Sequence, residues 1–346
     1  MTIVEPARPI TGGVDTHLDT HVAAALDANG GVLGVESFAT TSAGFAALHV
    51  WLSGFGPLVR VGVEGTGAYG AGLARHLRRQ GLEVIEVDRP NRQARRRHGK
   101  SDPADAVEAA RAALSGRARG VAKTADGAVE AIRVLLVAKR SGRDVRIKSL
   151  NQIRHLGFTA PDELRERFRG VSRDTLARQA AALRLHGGSD PVTYATKLAL
   201  QTLGRRVVDL ETDTERLDTL LGELVTATAP SLVQLYGVGI DTAAILLVAA
   251  GDNADRIHSE AAWAHLCGVA PLPASSGKTS RHRLNRGGNR QANHALWRIV
   301  FTRMSSDART RAYVTRRVDE GLTKPEIIRV LKRYVAREVY RHLPRR

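Results

Sequence analysis

Four acids in this chain stand where phosphodiester chemistry would need them. Asp15 follows Gly13–Val14 in a run that reads as a strand, and Glu64 closes another, Val61–Gly62–Val63–Glu64. Asp102 and Asp105 open a helical run on one face of it. In an open sheet, functional groups gather at strand ends beside a crossover helix. Converging carboxylates repel one another and stay ionised together only around cations. Hard oxygen donors favour Mg2+ or Mn2+. Two such ions clamp the attacking and leaving oxygens of a phosphodiester. Each acid also has a plain structural reading. Asp102–Pro103–Ala104–Asp105 makes a good helix start, with Asp102 as N-cap, and taken alone the cap is the simpler reading. Asp15 alone fits a turn before Thr16, and Glu64 alone a strand-end charge. The set is more specific than its members.

Basic residues flank these acids. The run holding Arg89, Arg92, Arg95, Arg96, Arg97, His98 and Lys100 ends just before Asp102. It reads as a solvated basic face or, beside a metal site, as a loop that holds nucleic-acid phosphates. A second concentration runs from Ala274–Ser275–Ser276–Gly277–Lys278 through Arg281, Arg283 and Arg286 to Gly287–Gly288–Asn289–Arg290. A serine beside glycine is sterically open, and surrounding cations ease formation of its alkoxide. On residue chemistry alone, a flexible basic loop donating to phosphates is the simpler reading. Gly237 and Gly239, in Leu235–Tyr236–Gly237–Val238–Gly239–Ile240, have the form of a helix-hairpin-helix turn, whose amides bind a backbone phosphate.

The elements that must position these groups follow from periodicity. Gly12–Leu18, His21–Leu26 and Val32–Phe38 read as an antiparallel meander, turned at Asp27–Gly31. Helical Ala43–Leu52, strand Leu58–Val63, helical Ala71–Gln80, strand Leu82–Val87 and helical Pro103–Leu114 come next. A meander followed by crossover units makes a mixed sheet with helices on its faces, an order over 10–122 similar to that of a ribonuclease-H-like α/β domain. Residues 123–228 read as helical. Leu200, Leu203, Val207, Leu210, Leu217, Leu221 and Leu224 recur at heptad spacing, Thr214 being the polar entry. The pattern fits a coiled-coil seam, the favoured reading, or a long helix packed within one subunit. Residues 229–346 read as a mainly α domain, and no internal repeat is evident.

Composition sets the partner class. The 346 residues carry 52 Lys and Arg against 35 Asp and Glu, a net charge of +17. Such an excess attracts a polyanion and releases its counterions. Ribosomal or membrane-surface roles share that balance, but the clustering favours nucleic acid. Aromatics are only 4% of residues, which argues against base stacking as the main mode of recognition. One cysteine, Cys267, excludes an intramolecular disulfide and a Cys-rich zinc site. With no apolar run of about 18 residues and a polar N-terminus, the chain is expected to be cytoplasmic, act on the nucleoid and have no membrane partner.

Taken in order, Gly13–Val14–Asp15, Val63–Glu64–Gly65–Thr66–Gly67, Lys100–Ser101–Asp102–Pro103–Ala104–Asp105 and the Ser276–Gly277 loop running to Gly288–Asn289–Arg290 resemble the DEDD transposases of bacterial insertion sequences. This is the IS-one-ten family, which also includes pilin-gene invertases, and the resemblance runs from about residue 11 to about residue 310. It implies a RuvC-like domain in which Asp15, Glu64, Asp102 and Asp105 bind metal. It also implies that Ser276 is the nucleophile that links covalently to DNA. It further implies a structured non-coding bridge RNA that pairs with donor and target DNA, and a working dimer or dimer of dimers. The sequence departs from the family pattern at Lys278, where a small residue is common, and at Asn285, where serine is common. Ser275 beside Ser276 leaves the nucleophile ambiguous by one residue. The expectation is a transposase. The rivals are a site-specific invertase, a junction resolvase needing the acids but no serine, and a nucleic-acid-binding protein without catalysis.

Overall fold

In a computed structural model the chain is described over residues 8–87, 101–118, 120–186, 190–253, 256–273, 282–283 and 285–344. Strands β1 (Ile10–Thr16), β2 (Thr20–Leu26) and β3 (Val32–Ala39) form the meander read from the sequence. Helix α1 (Ser42–Ser53), β4 (Leu58–Glu64), α2 (Ala71–Arg79), β5 (Glu83–Val87) and α3 (Asp102–Leu114) follow, and β6 (Gly120–Val121) adds a short edge. The sheet order is β3-β2-β1-β4-β5-β6. β1 and β2 are antiparallel, whereas β1–β4 and β4–β5 are parallel. A parallel pair needs a crossover, which α1 and α2 supply.

Strand alternation divides the sheet into two faces. Val14, Ala23, Ala25, Val61 and Val63 point to one, where they pack with Leu48 and Leu52 of α1 and Leu73, Ala74 and Leu77 of α2. Gly13, Asp15, Gly62 and Glu64 have the opposite parity and point to α3. There Val22 and Ala24 of β2 pack on Ala106. Two glycines let that helix lie close. A Cβ on Gly13 would come 2.1 Å from the Ala110 backbone nitrogen, and one on Gly62 would come 2.5 Å from the Ala109 carbonyl oxygen. The small face of α3 (Ala106, Ala109, Ala110, Ala113) is the complement of those glycines.

The chain forms two compact units. The first holds the residues up to Gly127 together with Ala250–Ala262. Asn253 Nδ2 donates to the Ala122 carbonyl (3.1 Å), and Arg256 Nε donates to that of Val121 (3.2 Å). The second holds Ala128–Ala249 and Trp263–Pro344, so the helical middle and most of the C-terminal residues cluster together.

In the second unit α4 (Ala128–Thr159), α5 (Asp162–Phe168) and α6 (Arg173–Ala181) pack with the 38-residue α7 (Pro191–Thr228). Leu200 and Val207 share a core with Leu150 and Ile153 of α4 and Leu176, Ala177 and Ala180 of α6. The ion pair Arg146–Glu211 (2.6 Å) and the Lys139–Asp218 pair lie along the same α4–α7 contact. This corrects the favoured coiled-coil reading of the heptads. Leu200, Leu203 and Val207 of the seam are covered within the chain, by α4 and α6, because an apolar stripe is satisfied by any matching helix. The remaining elements are α8 (Pro230–Val233), α9 (Ile240–Ala250), α10 (Glu260–Leu266), β7 (Leu272–Pro273), β8 (His282–Arg283), α11 (Arg290–Ser306), α12 (Ala308–Asp319) and α13 (Lys324–Arg341). The unit is mainly helical, and among the described residues no helix is long and apolar enough to cross a membrane.

Candidate active site

Parallel pairing of β1 with β4 aligns Val14 with Val63, so the next residues, Asp15 and Glu64, end adjacent strands on the α3 side. Thr16 Oγ1 donates to the Glu64 carbonyl oxygen at 2.8 Å and ties the two strand ends together. On the other face, Thr66 Oγ1 donates to Glu86 Oε1 (2.8 Å), anchoring the turn that leaves Glu64. From α3 come Asp102 and Asp105. Ser101 holds the N-cap position without a side-chain capping bond, so Asp102 is not the cap that its sequence context suggested. Asp105, one turn on, is 5% exposed.

His17 joins the acids. Its Nε2 lies 3.0 Å from Asp15 Oδ2 and 3.4 Å from Asp102 Oδ1, so one imidazole nitrogen faces two carboxylates. One ligand atom each from Asp15, His17 and Asp102 lie within 4.8 Å of one another, the one group of this kind among the described residues. Glu64 and Asp105 lie outside that ring, although Asp105 is near enough to act on Asp15. Burial pushes the Asp15 carboxyl above its usual range. His17 opposes the shift, and the negative charges of Asp105 and Asp102 add to it. At an effective dielectric of 20, two carboxylates 4 Å apart repel by about 4 kcal/mol. Such a cluster needs a counter-charge. A single N–H satisfies one oxygen at a time, whereas a cation in the same place engages all three ligand atoms. Oxygen donors suit Mg2+ and Mn2+, and the imidazole tilts the set toward the softer of the two.

Sequence reasoning missed His17, since a histidine shortly after a strand acid reads as a turn residue. It missed Gly13 and Gly62 as well, although each stands two residues before an acid and therefore on that acid's face.

The second concentration of predicted residues is described in part. Arg92, Arg95, Arg96, Arg97 and Lys100 lie outside the described residues, as do Ser275, Ser276, Lys278 and Arg281. The segment holding the serines is flanked by β7 and β8, which pair antiparallel through Leu272↔Arg283 and Pro273↔His282. Arg283, Arg286 and Arg290 are exposed. A cavity of about 230 Å3 is lined by Gly268, Asn285, Arg286, Gly288, Arg290 and Asn293. Its floor is a backbone crossing: a Cβ on Gly288 would meet the Gly268 nitrogen at 2.2 Å. Asn293 Nδ2 donates to the Cys267 and Gly268 carbonyls (2.9 and 3.2 Å), and its Oδ1 accepts from buried Lys332 at 2.9 Å. Burial, with Arg329 nearby, pushes the Lys332 pKa down.

Gly237 takes a left-handed φ of +79°, and Gly239 is exposed just before α9. The preceding helix, α8, is a single turn. Asp241, in the first turn of α9, pairs with Lys139 at 2.5 Å.

Comparison with known proteins adds a family. A family model for the DEDD type of IS110 protein, described as Transposase, matches residues 12–156, the stretch that holds all four acids and His17. A second, described as Transposase IS116/IS110/IS902 family, matches residues 229–315, which include the serine segment and the Gly268–Gly288 crossing. A relative from Streptomyces coelicolor, "Insertion element IS110 uncharacterized 43.6 kDa protein", is 32% identical over 147 residues. That match covers 41% of this chain and 36% of the relative, so the chain spans about a third of the relative's length. Matched in one order over more than half its length, on its acid-bearing and its glycine-rich parts alike, the chain belongs to the IS110 family of DEDD transposases.

Proposed function

We propose that this chain is a DNA transposase that cuts and rejoins DNA at the ends of an insertion element. The observation that carries the reading is the gathering of Asp15, His17 and Asp102, with Asp105 beside them, where two parallel strands end. Glu64 completes the set by strand register. The strand order, an antiparallel meander continued by parallel crossover strands under α3, supports a RuvC-like fold for 10–122. Asp15, Glu64, Asp102 and Asp105 would hold Mg2+ or Mn2+, with His17 as a further ligand, and an ion held there would supply Lewis-acid withdrawal of charge from the scissile phosphate.

The chain's own groups do the rest. Ser276 Oγ attacks the phosphorus, an Oγ–P bond forms, the P–O bond to one DNA strand breaks, and the departing oxygen takes a proton. A DNA hydroxyl later reverses the exchange at a new site and frees the serine. Arg283, Arg286 and Arg290, with Lys278 and Arg281, hold phosphates around that loop. The Arg92–Lys100 run does so beside the acids, and the Gly237–Gly239 turn, read as a helix-hairpin-helix, adds a backbone contact. The family resemblance supports a structured guide RNA as second partner and assembly as a dimer or dimer of dimers. Residues 123–228 serve that assembly, and 229–346 serve the serine chemistry.

The test is strand cutting of element-end DNA with Mg2+ present. Asp15→Ala and Glu64→Ala lose cutting while DNA binding persists, and a chelator does the same to the wild type. Full activity in either variant overturns the metal site.

A further inference from the structure

Helix α11 buries Ala292, Ala295, Leu296, Ile299 and Val300, and these supply its share of the core. Its other side carries three aromatic rings in a row. His294 and Trp297 stack with centroids 5.5 Å apart and planes 26° apart. Trp297 and Phe301 stack at 5.2 Å and 22°. Trp297 is 37% exposed and Phe301 58%. In a chain with only three Trp and six Phe, two such rings side by side in solvent are not serving the core. Offset parallel rings at this spacing form an aromatic ladder, and its open end at Phe301 presents a π-face.

The surroundings select the occupant. Helix α11 contains no Asp or Glu. At about 100° per residue, Arg290 falls in the middle of the arc set by His294, Trp297 and Phe301, and Arg298 at its margin. Both arginines are exposed. A nucleic-acid strand brings both a base for each ring and a phosphate for each arginine. The helix begins at Arg290, where the basic stretch of sequence that holds the serines ends, and that adjacency in the chain favours the DNA being cut as the strand that passes it.

We infer that the His294–Trp297–Phe301 ladder is a stacking platform for unpaired bases of the DNA strand next to the cleavage loop. The inference rests on the reading of the chain as a DNA transposase and adds to it a site for unstacked bases. It also explains how a chain poor in aromatics can still read opened DNA: the few exposed rings are concentrated on one helix.

The full chain is titrated with oligodeoxythymidylate and, separately, with duplex DNA, following tryptophan fluorescence and binding affinity. Wild-type fluorescence is quenched by the single strand, because Trp297 is exposed while Trp263 is fully buried and Trp51 packs against the core of the first unit. Trp297→Ala and Phe301→Ala each weaken single-strand binding by about 5- to 100-fold, the range for loss of one stacked base. Trp297→Phe keeps it near wild type, and duplex affinity and the salt slope are unchanged in all three. Single-strand binding that is unchanged in Trp297→Ala, or an equal loss on duplex, overturns the inference. So does a loss confined to oligouridylate RNA, or a change of oligomeric state on substitution, which would make the ladder an interface between copies. Wild-type protein that ignores oligodeoxythymidylate also overturns the ladder, while the cutting reading is judged separately by Asp15→Ala.

Discussion

Burial and charge act on Asp15 in the same direction. Desolvation raises its carboxyl pKa, and Asp105 and Asp102 raise it further, against a partial offset from His17. A side chain so placed strains the metal-free protein and is relieved by a cation. Asp15→Ala is therefore expected to lower strand cutting about a thousand-fold, on the scale of removing one group that acts on a transition state. Because the alanine also removes a repelled charge, its metal-free melting temperature does not fall below that of the wild type by the margin usual for a buried polar residue. Circular dichroism melts with and without Mg2+ check this: the wild type gains stability on adding the ion, and Asp15→Ala does not. The acids were legible in the sequence as a set, because the strand ends and the helix start that carry them belong to one sheet, although each alone has a structural reading. His17 was not, since its role depends on α3 bringing Asp102 to it across 85 residues of chain, a separation that local pattern does not encode.

At the scale of elements, the approach of α3 to the sheet decides whether the acids meet. Gly13→Ala places a methyl against the Ala110 backbone, which cannot move without shifting the helix that carries Asp102 and Asp105. A cost of about 1–3 kcal/mol is expected, with a larger loss of cutting than of stability. Gly12→Ala is the control: the nearest atoms to its Cβ are the end of the Leu52 side chain and the Val61 methyls rather than backbone, so it leaves cutting near wild type. The opposite face makes a pH prediction. His21 is fully buried and stacked on Phe45, and burial lowers its pKa from 6.5 although the Thr20 backbone pulls the other way. The unfolded chain then binds the proton more readily, so stability is intact above about pH 6.5 and falls as pH drops through that value. His21→Phe should flatten the slope there by up to about 1.4 kcal/mol per pH unit, read from denaturant midpoints against pH. Strands and helices of this unit were legible because alternation and helical period change cleanly along it. The return of residues 250–262 to the first unit was not, because nothing in that short segment's pattern names its partner.

For the whole molecule, positive charge governs behaviour. With +17 net charge, nucleic-acid affinity should fall steeply with salt, by about a thousand-fold or more between 50 and 200 mM if six or more phosphates are contacted. Replacing Arg95, Arg96 and Arg97 by alanine should reduce the slope of log affinity against log salt by about two to three, at roughly 0.9 per phosphate contact. A flat response would remove the use assigned to that run. The long helix α7 shows the limit of pattern at this scale. Its heptads identified an apolar stripe correctly, but the period of a stripe does not say whether another molecule or the same chain covers it, and α4 and α6 cover its Leu200–Val207 part here.

The union of a metal-binding acid cluster with a serine nucleophile is tested most directly by trapping the intermediate. Full-length protein, Mg2+ and end-labelled element DNA are combined, quenched in denaturant and run on a denaturing gel. A labelled band at the mass of protein plus DNA is expected for the wild type and for Ser275→Ala. It is absent from Ser276→Ala, which still binds DNA, and from Asp15→Ala. A band that survives in Ser276→Ala and vanishes in Ser275→Ala moves the nucleophile by one residue. Cutting by the wild type with no band at any time contradicts the account, because the attacking group would then be water or a DNA hydroxyl and the serine loop only a phosphate clamp.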